Sequence, residues 1–124
     1  MAGCVSTSGK GVKNMRIYIS GKMTGLDKKE YVGKFNAAEK RLRGEGHEVI
    51  NPITVGAYGL DYEKSMAIDL ILLESCDGIY MLDNWKESKG AKTERRHAMS
   101  KGIDIIYESI PYFKKIKDLV RVKG

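Results

Sequence analysis

Four short apolar runs recur along this chain, at residues 16–20, 47–51, 78–82 and 103–107, and a stretch with helical spacing follows each of them. Residues 31–43 place Tyr31, Phe35, Ala38 and Leu42 on one helical face, and Gly44 and Gly46 stop that helix. Residues 62–75 and 88–101 read as the second and third helices, the latter ended by Gly102. Residues 112–122 read as a last amphipathic helix, with Phe113, Ile116, Leu119 and Val120 available to dock. Repeated strand–helix alternation with apolar strands predicts a parallel sheet covered on both faces. The expected fold is therefore α/β: a flavodoxin- or Rossmann-like three-layer sandwich with a mainly parallel sheet of four to five strands. At 124 residues it makes one domain, expected over 15–124. Residues 1–14, rich in Gly, Ser, Thr and Lys, are expected to be a tail.

In sheets of this kind, ligands bind beyond the carboxyl ends of the strands, where the strand order reverses. Residues 20–25, 51–59 and 83–94 all fall at such ends. The most suggestive of these is Ser88-Lys89-Gly90-Ala91-Lys92-Thr93-Glu94. Small polar residues at the start of a helix leave backbone N–H groups open to an anion, and Glu94 brings a carboxylate near the same mouth.

Asp69 is the second informative residue. It lies close to the stripe of Met66, Leu70 and Leu73, among Ile68, Ile71 and Leu72. Two readings stand: a buried carboxyl whose raised pKa makes it a proton donor, or an Asp at the edge of the stripe that bonds a loop or a Lys. Glu94 also has two. It sits one position off a small-residue face marked by Ala91 and Ala98, where the helix start would keep it ionised as a nucleophile. Alternatively it is an exposed partner of Lys92, Arg95 or Arg96. One protonated and one charged carboxyl are what cleavage of a glycosidic bond requires. Tyr18 is placed to hold Glu94 through its hydroxyl, or else is a half-buried strand aromatic. Tyr58, Tyr62 and Trp85 are candidates to stack on a base or simply to pack.

The remaining features exclude more than they assign. The net charge of +6 comes from the two ends, since residues 15–113 balance acidic against basic side chains; that is not a DNA-binding face, and no polymeric nucleic acid is expected as partner. Cys4 and Cys76 make neither a disulfide framework nor a zinc spacing, which suits a cytoplasmic location. No apolar run approaches a membrane span, and no signal pattern opens the chain, so no membrane partner is expected. His47 and His97 are isolated in sequence, and neither a metal nor a cofactor is expected.

The succession Tyr18-Ile19-Ser20-Gly21, Phe35 with Leu42 and Gly46, Asn51-Pro52, Asp69, Cys76-Asp77-Gly78 and Ser88-x-Gly90-x-x-x-Glu94 with Ala98 resembles the nucleoside 2-deoxyribosyltransferase-like superfamily. The resemblance spans roughly 15–108, and the group includes the 2′-deoxynucleoside 5′-phosphate N-hydrolases. It implies that Glu94 takes the sugar at C1′, that Asp69 contacts the nucleotide and assists departure of the base, and that Tyr18 orients Glu94. The transferases commonly carry an Asp six residues before the catalytic Glu, whereas the nucleotide hydrolases carry a serine there for the 5′-phosphate. That position is Ser88 in this chain. Ser88 and Gly90, with Ser20, Gly21, Lys22, Met23 and Gly25, would then bind substrate and phosphate. The resemblance also implies a homodimer or higher homo-oligomer whose neighbouring subunit completes the site, with Ser109 lent across the interface. The expected activity is hydrolysis of a 2′-deoxynucleoside 5′-monophosphate. Base exchange between deoxynucleosides, and a binding or sequestering protein without turnover, are the alternatives.

Overall fold

The computed structural model describes residues 14–56 and 58–109. The expected helix at 112–122 and residues 1–13 of the expected tail lie outside them. The element order is β1 (Arg16–Ser20), α1 (Lys28–Gly44), β2 (Glu48–Ile50), α2 (Ile53–Gly56), α3 (Tyr62–Glu74), β3 (Gly78–Met81), a 3₁₀ segment (Asp83–Glu87), α4 (Lys89–Ser100) and β4 (Asp104–Tyr107). The strands form one sheet in the order β2-β1-β3-β4, with every pair parallel. The α/β sandwich expected from the alternation is therefore present, with four strands among the described residues.

The chain first steps from β1 to β2, then crosses β1 to reach β3 and continues outward to β4. Strand-to-strand crossovers keep one hand, so reversing direction sends the helices to opposite faces. The core divides accordingly. Ile17 and Ile19 of β1 pack with Phe35, Ala38 and Leu42 of α1, together with Val49, Tyr80 and Leu82. On the other face Tyr18 packs with Leu73, Cys76, Ile79, Met81, Ala91 and Ala98 under α3 and α4. The alternation of side chains along β1 makes this division: odd positions enter one core and even positions the other. The order reverses between β1 and β3, and the carboxyl ends of these two strands open a crevice there.

Two segments differ from the sequence reading. The stretch after Pro52 contains one helical turn, α2, started by Asn51, whose Oδ1 accepts from the Ile53 amide at 3.1 Å. The 3₁₀ segment Asp83–Glu87 lies in a stretch for which no helix was expected. Asp-Asn-Trp-Lys-Glu has no apolar period to announce a helix, and Trp85 is held against Tyr107 (5.8 Å between ring centroids) and Arg95 by tertiary contacts. Among the described residues no helix is long and apolar enough to cross a membrane.

Candidate active site

β1 delivers two hydroxyls to one place. Tyr18 and Ser20 stand two residues apart on a strand, so both project to the α4 side of the sheet. α4 comes close to that side because Ala91 and Ala98 are small and fully covered. Glu94 lies on this same buried stripe, only 6 % exposed, and not beside it as the sequence spacing suggested. Its carboxylate is gripped at both oxygens. Tyr18 Oη donates to Oε2 at 2.7 Å, and Ser20 Oγ donates to Oε1 at 2.6 Å.

Asp69 reaches the site from α3. Its Oδ1 is covered, yet has no hydrogen-bond partner among the described residues. Burial raises its pKa to about 6, and the nearby Tyr18 hydroxyl opposes the shift. Burial also pushes Glu94 up, to about 7; the Ser20 and Tyr18 hydroxyls pull it down, and the Asp69 charge adds to the rise. The expectation that the start of α4 would keep Glu94 ionised is therefore corrected. Glu94 is beyond the first turn of the helix, where the dipole has faded, and desolvation outweighs it. Tyr18 is itself raised well above the usual phenol value by burial and by Glu94 and Asp69, so it remains a donor. Near neutral pH a proton therefore favours Glu94 over Asp69, the reverse of the order expected from sequence.

These groups face a cavity of about 740 Å³. Its polar rim includes Ser88, which caps α4 by accepting from the Ala91 amide at 3.0 Å, and the exposed amine of Lys89. Lys22 closes the rim from the β1–α1 turn: its amide donates to Asn84 Oδ1 at 3.0 Å, and its amine stands 3.7 Å from Glu87. The turn at Gly21 passes so close to β3 that an added Cβ would come within 2.6 Å of Leu82 Cδ1. At Gly90 an added Cβ would come 3.2 Å from Met66 Cε and 3.7 Å from the Tyr62 hydroxyl. The apolar part of the wall is built by Met23, Phe35, Pro52, Val55 and Met66.

Of the residues singled out from sequence, Ser20, Gly21, Lys22, Met23, Asp69, Ser88, Gly90 and Glu94 line this cavity, and Tyr18 stands behind Glu94. Gly25, which turns with φ +90°, and the exposed Ser109 are not among the lining residues. Tyr62 lines the cavity, whereas Trp85 packs on Tyr107 and Arg95. His47 accepts from the Met15 amide, and His97 pairs with Glu74. Phe35, Pro52, Val55, Ser65, Met66, Glu87 and Lys89 also line the cavity, and none of them was assigned to the site from sequence. Phe35 and Met66 were assigned to core stripes, and a residue near the end of such a stripe can face a cavity instead. Their proximity to the carboxyl ends of β1, β2 and β3 was the available signal.

A family model described as a domain of unknown function (DUF4406) matches residues 15–107. No curated protein and no solved structure matches the chain.

Proposed function

We propose for this chain, which belongs to the DUF4406 family, an N-glycosidase activity on 2′-deoxynucleoside 5′-monophosphates. The observation that carries the proposal is the buried Glu94 carboxylate, held at both oxygens by Tyr18 and Ser20 and facing a cavity it shares with Asp69. The likeness of these positions to the nucleoside 2-deoxyribosyltransferase-like superfamily supports the same reading.

In this mechanism a Glu94 oxygen forms a bond to C1′ as the C1′–N bond breaks. The electron pair leaves with the base, which takes a proton from Asp69. The reacting complex therefore carries its proton on Asp69 and its charge on Glu94, opposite to the preference of the free protein. Water then attacks C1′ and gives a proton to Asp69, and Glu94 departs as a carboxylate. Base and deoxyribose 5-phosphate are the products. Ser88, the first amides of α4 and Lys22 hold the 5′-phosphate, while the apolar wall accepts the base. A homo-oligomer belongs to the same reading, because Tyr62 at the cavity, Ile71 on α3, and Tyr58 and Leu60 ahead of α3 expose apolar surface.

The test is incubation with a panel of ribo- and deoxynucleosides and their 5′-monophosphates, with free base read by chromatography. Release from deoxynucleoside monophosphates that disappears in Glu94→Ala supports the proposal. Release that persists in Glu94→Ala overturns the mechanism, and better turnover of unphosphorylated nucleosides overturns the role of Ser88. Diversion of product into a new nucleoside when a second base is added would make the enzyme a transferase. Tight binding without release would make it a nucleotide-binding protein.

A further inference from the structure

We propose that Ser20 is a positioning residue that sets the ionisation and aim of Glu94, in place of the substrate contact its position at the end of β1 first suggested. This inference rests on reading Glu94 as the nucleophile. Ser20 is 1 % exposed, and its hydroxyl is committed to Glu94 Oε1 at 2.6 Å. A carboxylate drawn out of water needs donors on both oxygens, and Tyr18 supplies only one. Without Ser20, Oε1 keeps its burial and loses its donor. The charged form is then disfavoured, and the carboxylate is free to rotate about its last torsion.

The strand geometry makes the pair a unit. Tyr18 and Ser20 lie on one face of a central strand whose backbone is paired on both sides, Tyr18 opposite Ile50 and Ile79, and Ser20 opposite Met81. The donors are therefore fixed before any ligand arrives, a preorganisation that needs no loop closure. Gly21, which must stay small against Leu82, ends the strand immediately after Ser20. The other charged or titratable groups facing Glu94 are few. Asp69 and Tyr62 from α3 share the cavity, and Lys22, Glu87 and Lys89 stand at its rim. β3 presents Ile79 and Met81 on this face; on β4, Ile105 shares it with Tyr107, whose hydroxyl accepts from Arg95. Among these residues only Tyr18 and Ser20 donate to the Glu94 carboxylate.

The experiment compares the full chain with Ser20→Ala, Ser20→Cys and Ser20→Thr. The Glu94 carboxyl is titrated by carbon-13 NMR, and kcat and KM for base release are measured from pH 5 to 9. In Ser20→Ala the titration is expected to move up by about one unit. The acid limb of kcat follows it, so that the rate at pH 6 falls about tenfold against wild type, with KM little changed. Thr, which keeps the hydroxyl, restores both, and Cys, a weaker donor, falls between. A raised KM with an unmoved titration would make Ser20 a substrate contact and overturn the proposal, as would an Ala variant that titrates like wild type. If Ala does not fold, the Cys variant decides alone: a titration like wild type overturns the proposal. The NMR measurement needs no substrate, so failure of the N-glycosidase reading would show as absent base release in wild type and leave the Ser20 result intact.

Discussion

Glu94 is a poor residue for stability and a suitable one for chemistry, and the two properties have the same cause. The native carboxyl titrates at about 7 against 4.5 for an unperturbed glutamate. Between these values the native chain holds a proton that the unfolded chain has released. Stability therefore falls as pH rises through that window and levels off above it. Glu94→Gln removes the charge and is expected to stabilise the protein at pH 8 by about 2–3 kcal/mol, with little effect at pH 4, read by denaturant unfolding. The same variant should lose base release by at least about a thousandfold, as removal of a nucleophile does. Equal stability at both pH values would mean that Glu94 is solvated and ionised in the native state. Sequence showed Glu94 as one of two open readings, because a shift of one position on a helical wheel separates a salt-bridging surface residue from a buried one. Tyr18 and Ser20, which decide the question, come from β1, a part of the chain far from Glu94 in sequence.

At the scale of elements, β1 and the start of α4 carry the site. β1 was legible because Ile17 and Ile19 alternate with Tyr18 and Ser20, and α4 because Ser88 and the Ala91–Ala98 spacing mark a cap and a closely packed face. The 3₁₀ segment between β3 and α4 was not legible, since contacts of Trp85 with distant residues shape it. Ser88→Ala removes the acceptor for the Ala91 amide and is expected to cost about 1 kcal/mol of stability. In assays it should raise KM for monophosphates more than for nucleosides; equal effects on both would detach Ser88 from the phosphate. Gly21→Ala drives a methyl into Leu82 and is expected to cost about 1–3 kcal/mol, partly recovered in the double variant with Leu82→Ala. Additive losses in that cycle would show that the turn yields elsewhere.

Across the whole molecule the sheet separates two cores with different duties. The α1 side, with Leu42, holds the fold together, whereas the α3–α4 side also holds the carboxylates. Leu42→Ala should lower stability by about 2–4 kcal/mol while leaving kcat of the folded protein near wild type. Ala98→Leu, on the other side, should lift α4 from the sheet and lower kcat even where the protein remains folded. Equal losses of kcat from the two substitutions would mean that the sheet does not insulate the site.

The Asp69 carboxyl, which lines the cavity, makes ligand binding a proton-counting event. With its carboxyl raised to about 6, Asp69 is mostly charged at pH 7, and a ligand in the cavity that Asp69 lines meets that charge. A ligand that presents a lone pair there forces the carboxyl to take up a proton from the medium, and one that presents an N–H or O–H does not. Calorimetric titrations in buffers of different ionisation heat would count those protons, using Glu94→Gln to hold the complex before cleavage. A dependence on buffer at pH 7 that fades by pH 5 identifies a ligand arriving with an acceptor, the arrangement a departing base requires; heats independent of buffer identify one arriving with a donor.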